Sequence, residues 1–478
     1  MNILYYCAAI LCFYAIGSFI ANALRIRFPV LEKVALSFLL GNTVVIFLYY
    51  YLFFFRLPFL KEFCHAIELF AFIYLLYQMG KILRHRHFTF NLQRAIPESQ
   101  PATPGTRFLL VCCLLIAFYA VLRTMNTSVN TNDALANWSF TAKVLYTEQT
   151  IYSDVFTDKD RVLRAKDYPL FISLTEVFMF NLGKGYDDKN IKVLFCMYYM
   201  AFMVIYYFRL RSIIDSPIAY LMSILLFSVP ALIKEKSGGI SSGMADVPLT
   251  LFHTSALLYL FDYLKISLLS ASCSTQRILT TVPSNSLSCD PAHSQLQSPS
   301  GKSSLLVSSI LLSGTLFIKN EGILIYCALF MALIISILKT RNFRLEFLYI
   351  LALPFAANIF WFYFKFFVAY PTQPYHKLAL HSAGYLYKIA EGFALNMLQI
   401  NDWGVIWLLP LCTLLYVKNL FKGQAYFIFL FVVFHFISYI IILMIVHQQI
   451  QAALPLDRFL IHILPESLFL FVLISKKH

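Results

Sequence analysis

NTSVNTNDALANWSFTAKVLYTEQTIYSDVFTDKDRVLRAKDYPLFISLTEVFMFNLGKGYDD, residues 126–188, is the longest stretch of this chain without an apolar run fit to span a bilayer. It is polar with scattered aromatics, yet it carries helical periodicity. Ala134, Leu135, Trp138, Ala142 and Leu145 recur on one face, and residues 169–182 repeat the pattern. This predicts two amphipathic helices lying on a membrane surface, joined by a charged connector. Asn126-Thr127-Ser128 and Asn137-Trp138-Ser139 match the N-glycosylation sequon, a weak pattern with meaning only in a eukaryotic host.

Around this loop the chain is overwhelmingly apolar: 60% hydrophobic and only 13% charged over 478 residues. A soluble domain averages about 25% charged residues, so the bilayer must be the solvent for much of this surface. Runs long enough to span fall at 3–24, 34–55, 63–80, 108–124, 191–208, 216–233, 247–264, 303–318, 322–338, 346–368, 404–417, 424–447 and 458–475. The expectation is an all-α, polytopic transmembrane bundle of about thirteen helices with a large extracytoplasmic loop. The first run lacks a basic leader and a small-residue cleavage site, so it reads as a retained helix.

The net charge of +14 invites a nucleic-acid reading. The basic residues, however, sit in alternate short loops: Arg25, Arg27 and Lys33; Lys81, Arg84, Arg86, Arg94 and Arg107; Arg209 and Arg211; Lys339, Arg341 and Arg344; Lys418 and Lys422; Lys476 and Lys477. Those loops are expected to be cytoplasmic, with the N-terminus outside and the C-terminus inside. Membrane lipids, not nucleic acid, are the implied partner. Eight cysteines lie in apolar runs and two, Cys273 and Cys289, in a Ser/Thr/Pro-rich stretch, 272–302. That stretch reads as a flexible cytoplasmic linker between residues 108–271, which hold the outer loop 125–190, and 303–478. With no CxxC and no Cys/His ligand spacing, neither disulfides nor a metal site is expected.

Charged groups at a bilayer edge tend to mark function. Asp133 opens the first loop helix, either as a general base or as a helix cap. Lys166-Asp167-Tyr168-Pro169 precedes the second; Lys166 suits a phosphate as a point charge, or is a solvated loop lysine. Gly238-Gly239 and Gly243-Met244-Ala245-Asp246-Val247-Pro248 form a glycine-rich turn into a helix with Asp246 at its mouth. Lys319-Asn320-Glu321-Gly322 puts polar groups between two apolar runs with almost no spacer. Asp457-Arg458 and His462 open the last run, Arg458 and His462 sharing one face. The charge rule sends all five clusters to one membrane face.

These clusters, in this order over about residues 126–465, resemble the GT-C superfamily of integral membrane glycosyltransferases, in the branch of aminoarabinose transferases and protein O-mannosyltransferases. The matching pieces are Asp133 with Trp138 and Lys143, Tyr168-Pro169, the 243–248 and 319–322 motifs, and Asp457-Arg458. The resemblance implies transfer of a sugar from a polyprenyl-phosphate donor to a glycan, lipid or protein acceptor, with inversion and no cofactor. It implies Asp133 as base, Asp246 in support, Lys166, Lys319 and Arg458 on the donor phosphate, and Asp167, Tyr168, Asn320, Glu321 and His462 around them. In a bacterium the host membrane would be the inner one, the site facing outward. The family places its catalytic loop after the first helix; here about three precede it, so residues 1–107 read as an added module. Two rivals remain. An O-antigen-type ligase or polymerase would use His376, Lys377 and His381 of the loop 369–403. A secondary transporter would place its charges near the midplane.

Overall fold

A computed structural model describes residues 2–84, 103–129, 131–158, 166, 168–183, 185–279, 301–340, 345–369, 377–378, 383–447 and 456–476. The chain is a helical bundle. In order, the principal helices are α1 (Asn2–Ala23), α2 (Val30–Phe54), α3 (Leu60–Arg84), α4 (Pro104–Met125), α5 (Phe140–Glu148), α6 (Phe171–Gly183), α7 (Val193–Arg211) and α8 (Ser216–Phe227). They continue with α9 (Asp246–Leu279), α10 (Gly301–Ile318), α11 (Glu321–Thr340), α12 (Leu348–Tyr363), α13 (Ala383–Met397), α14 (Gly423–Ile445) and α15 (Leu456–Ser475). Among the described residues the only sheet is a two-residue antiparallel ladder pairing Lys377 with His447 and Leu378 with Val446.

All thirteen apolar runs fall on helix. Among the described residues, ten helices are long and apolar enough to cross a membrane, and the protein is a multi-pass membrane-helix bundle. Of the other three runs, 216–233 breaks into α8 and a turn at Pro230–Ile233, and 404–417 folds as short helical turns. The run 247–264 lies in the long α9, which continues to Leu279 and so enters the stretch expected to be a linker. Residues 280–300 lie outside the described ones.

Backbone contact sets the closest crossing. A Cβ on Gly17 would sit 1.7 Å from the Ser37 carbonyl oxygen, and one on Gly41 1.7 Å from that of Phe13. Paired glycines let α1 and α2 touch main chain to main chain, as small residues do in membrane bundles. Pro354 inside α12 cannot donate to the Ile350 carbonyl, and the Tyr326 hydroxyl does so instead, at 3.3 Å. The first two helices are integrated with the rest: Asn42 of α2 donates to Thr175 of α6 at 3.4 Å and accepts from the Tyr198 hydroxyl of α7 at 2.7 Å.

That junction corrects the reading of residues 169–182. Helix α6 does not lie on a surface; nearly every side chain it carries is buried. Its polar residues, which read as a wet face, point at protein. Ser173 donates to the Trp138 carbonyl at 3.0 Å. Helix α5, in contrast, keeps Lys143 and Glu148 toward solvent while Ala142 and Leu145 are buried.

Midway along α9 from Asp246, Arg209 is buried between Glu32 and Asp262. Asp246 and Asp262 are 16 residues apart along the helix (262 − 246), about 24 Å at 1.5 Å per residue. Arg209 is therefore an internal ion-pair partner tying α2, α7 and α9 together rather than a free loop cation.

Candidate functional site

The glycine turn is built around Asp246. Gly238 has φ +82°, and a Cβ there would meet the Asp246 Oδ2 at 3.0 Å; Gly243 has φ +74°. Both dihedrals favour glycine. The turn closes on itself, Ser242 Oγ donating to the Gly239 carbonyl at 2.6 Å and accepting from the Met244 amide at 2.9 Å. This leaves Asp246, the first residue of α9, buried and aimed inward.

Three other segments bring charge to it. Lys319, in the tight turn between α10 and α11, places Nζ 2.8 Å from Asp246 Oδ1 and 2.9 Å from Glu321 Oε1. The turn is tight because Gly322 packs on the preceding helix, where a Cβ would come within 2.1 Å of the Thr315 carbonyl oxygen. Arg458, in the first turn of α15, donates through Nε at 3.0 Å and Nη2 at 2.9 Å to Asp246 Oδ2. Its Nη1 reaches Asp133 Oδ2. Arg458 thus bridges two carboxylates, and its partners are not the neighbouring Asp457. Burial alone would raise the Asp246 pKa; Arg458 and then Lys319 outweigh that and hold the carboxyl well below the usual range.

Asp133 differs from the rest in exposure: its side chain is 42% accessible, against none for Asp246. It makes no capping hydrogen bond, which removes the helix-cap reading, and is followed at once by a π-helical turn, Ala134–Ser139. Such turns are rare and often mark functional positions.

Below the ion pairs, His462 lies one turn deeper on α15. Its Nε2 is 3.5 Å from Asp246 Oδ1, and its Nδ1 is 2.6 Å from the Tyr439 hydroxyl of α14. Asn320 faces another way and accepts from Lys365 Nζ at 2.6 Å.

Six expected residues therefore meet: Asp133, Asp246, Lys319, Glu321, Arg458 and His462. Lys166 does not read as a solvated loop lysine; it is buried and donates to the Asp158 carbonyl. Tyr168 packs edge-on against Trp138, ring centroids 6.0 Å apart. Asp167 lies outside the described residues, as do His376 and His381 of the ligase reading. Tyr439 was missed because a tyrosine in an apolar run looks like packing. So were His253, His435 and Glu466, which gather two turns below the ion pairs and give no local spacing signal. No protein-family model matches the chain, and no curated protein or solved structure matches it either.

Proposed function

We propose that this chain is a membrane glycosyltransferase of GT-C type, moving a sugar from a polyprenyl-phosphate donor to an acceptor hydroxyl or amine. The observation that carries the reading is the Arg458 bridge between a buried carboxylate, Asp246, and an accessible one, Asp133. Asp246 is locked by Lys319 and Arg458. Asp133 is the partner that solvent or ligand can replace.

A donor phosphate competes with Asp133 for the Arg458 fork, since guanidinium binds either oxyanion bidentately. Binding then seats the phosphate leaving group and frees Asp133 to take a proton from the acceptor as it attacks the anomeric carbon. Lys319, enclosed by Asp246 and Glu321, holds Asp246 in place, a role different from the phosphate contact first expected of it. In this reading the site opens on the outer face of a bacterial inner membrane, with the N-terminus outside and the C-terminus cytoplasmic.

The test is mass spectrometry of envelope glycolipids and glycans from a strain lacking the protein, complemented with wild type or Asp133→Asn. The expected result is loss of one sugar that wild type restores and the variant does not. Full restoration by Asp133→Asn removes the mechanism. One observation favours a second reading, secondary transport: titratable groups continue from His462 into the interior of α14 and α15, where intramembrane charges often mark an ion path. Solute uptake into proteoliposomes without any sugar donor would select it.

A further inference from the structure

Two helical turns below Asp246, three side chains from three helices meet in the interior. His253 of α9, His435 of α14 and Glu466 of α15 are all fully buried, and one ligand atom from each lies within 4.8 Å of the others.

Donor and acceptor accounting makes this group unusual. His253 Nδ1 is 2.8 Å from the Leu249 carbonyl oxygen. A carbonyl can only accept, so Nδ1 carries a proton, and on a singly protonated ring Nε2 is a bare lone pair. That lone pair faces two more acceptors at 3.1 Å each, Glu466 Oε2 and the His462 carbonyl oxygen. Three acceptors with no donor between them repel one another in a dry interior. On the other side of the carboxylate, His435 Nδ1 closes on Glu466 Oε1, and its Nε2 has no hydrogen-bond partner. A carboxylate wedged between two imidazoles needs a positive centre.

We propose that this centre is a divalent transition-metal ion of the zinc class, bound by His253 Nε2, His435 Nδ1 and Glu466. Two imidazoles and a carboxylate are a donor set that suits zinc rather than magnesium or calcium, which take oxygen ligands. A spacing of 3.1 Å between His253 Nε2 and Glu466 Oε2 is that of two atoms each about 2.0–2.1 Å from one zinc ion at an angle of roughly 100°; the full set, spread over as much as 4.8 Å, must draw in to about 4.2 Å or less for one ion to hold all three. The His253 Nδ1–H bond to a backbone carbonyl is the outer contact that metal-bound imidazoles make, and it fixes the tautomer that ligation requires. The metal fastens α9, α14 and α15, the helices that carry Asp246, Tyr439 and Arg458, at one point beneath the ion pairs.

The test uses the full chain with an affinity tag free of histidine, purified in detergent without chelator, exposed to zinc and then exchanged into metal-free buffer. Elemental analysis is expected to find one zinc ion per chain. A cobalt-loaded sample is expected to show the visible bands of four- or five-coordinate, imidazole-bound Co2+. His253→Gln and Glu466→Gln, which keep volume and polarity, lose the metal; Asp133→Asn keeps it. Wild type with no metal above the buffer blank, or variants holding as much as wild type, overturns the proposal; in the first case a proton occupies the triad as an imidazolium–carboxylate pair. Should the variants fail to fold, the cobalt spectrum of wild type decides alone, and its absence is equally fatal. Metal content is read independently of any sugar transfer.

Discussion

Arg458 and Asp133 stand 325 positions apart in the chain, and a guanidinium nitrogen of the one lies 2.5 Å from a carboxylate oxygen of the other. The same guanidinium holds Asp246. One side chain thus joins the segment 126–188, the start of α9 and the start of α15. The two carboxylates differ mainly in access to water, and that difference sets opposite expectations for their removal.

Asp133→Asn keeps the shape and removes the charge. Its pair with Arg458 is partly exposed, so the cost to stability is at most about 1 kcal/mol, seen as a nearly unchanged melting temperature in detergent. Sugar transfer falls by roughly 10²–10⁴ if Asp133 is the general base. Activity near wild type would remove that role.

Asp246→Asn reverses the pattern. It leaves Lys319 and Arg458 buried beside a neutral amide, and breaking a buried ion pair costs about 3–5 kcal/mol. Thermal unfolding monitored by intrinsic fluorescence is expected to shift sharply down. A shift as small as that of Asp133→Asn would mean that water reaches the cluster.

Glu176 predicts a pH dependence. Helix α6, at thirteen residues, is too short to span. Its Glu176 is buried with both oxygens unpartnered, and burial pushes its pKa up to about 8. The unfolded value is about 4.3, so the folded state holds the proton more tightly. The stability this contributes is complete below about pH 4.3 and is lost as pH rises toward 8. The melting temperature of wild type should therefore drop between pH 5 and 8 (roughly the window those two values define), and Glu176→Gln should flatten the slope. An unchanged slope would show that Glu176 is ionised and paired in the folded state.

Gly41→Ala tests the α1–α2 crossing. The new Cβ would overlap the Phe13 carbonyl oxygen, so the helices must separate, and a loss above about 4 kcal/mol is expected. Gly80→Ala, whose Cβ meets nothing within 4 Å, is expected to be neutral or slightly stabilising. Equal effects on stability would mean that the crossing is looser than the glycine pair implies.

The apolar runs announced the bundle because a bilayer imposes length and composition on any helix that crosses it. The ion-pair site was legible for a related reason. Asp246, Lys319, Glu321 and Arg458 sit where a run begins or ends, where charge stands out against its surroundings, and Asp133 opens the first amphipathic helix of the polar stretch 126–188. Helix α6 was misread because Ser173, Thr175 and Glu176 look the same in a sequence whether they face water or other helices; only Trp138 and Asn42, brought in from elsewhere, decide it. The His253, His435 and Glu466 group was hidden for the opposite reason. Each lies inside a different apolar run, His253 and Glu466 being 213 positions apart. No local spacing joins them.

The position of Arg458 also bears on biosynthesis. It follows Asp133, Asp246 and Lys319 in the order of translation, and α15 enters the membrane after the helices that carry them. Until then Asp133 has no guanidinium, and Asp246 is balanced by Lys319 alone. A chain that ended before α15 would carry the Asp133 carboxylate without the guanidinium that pairs with it in the finished fold.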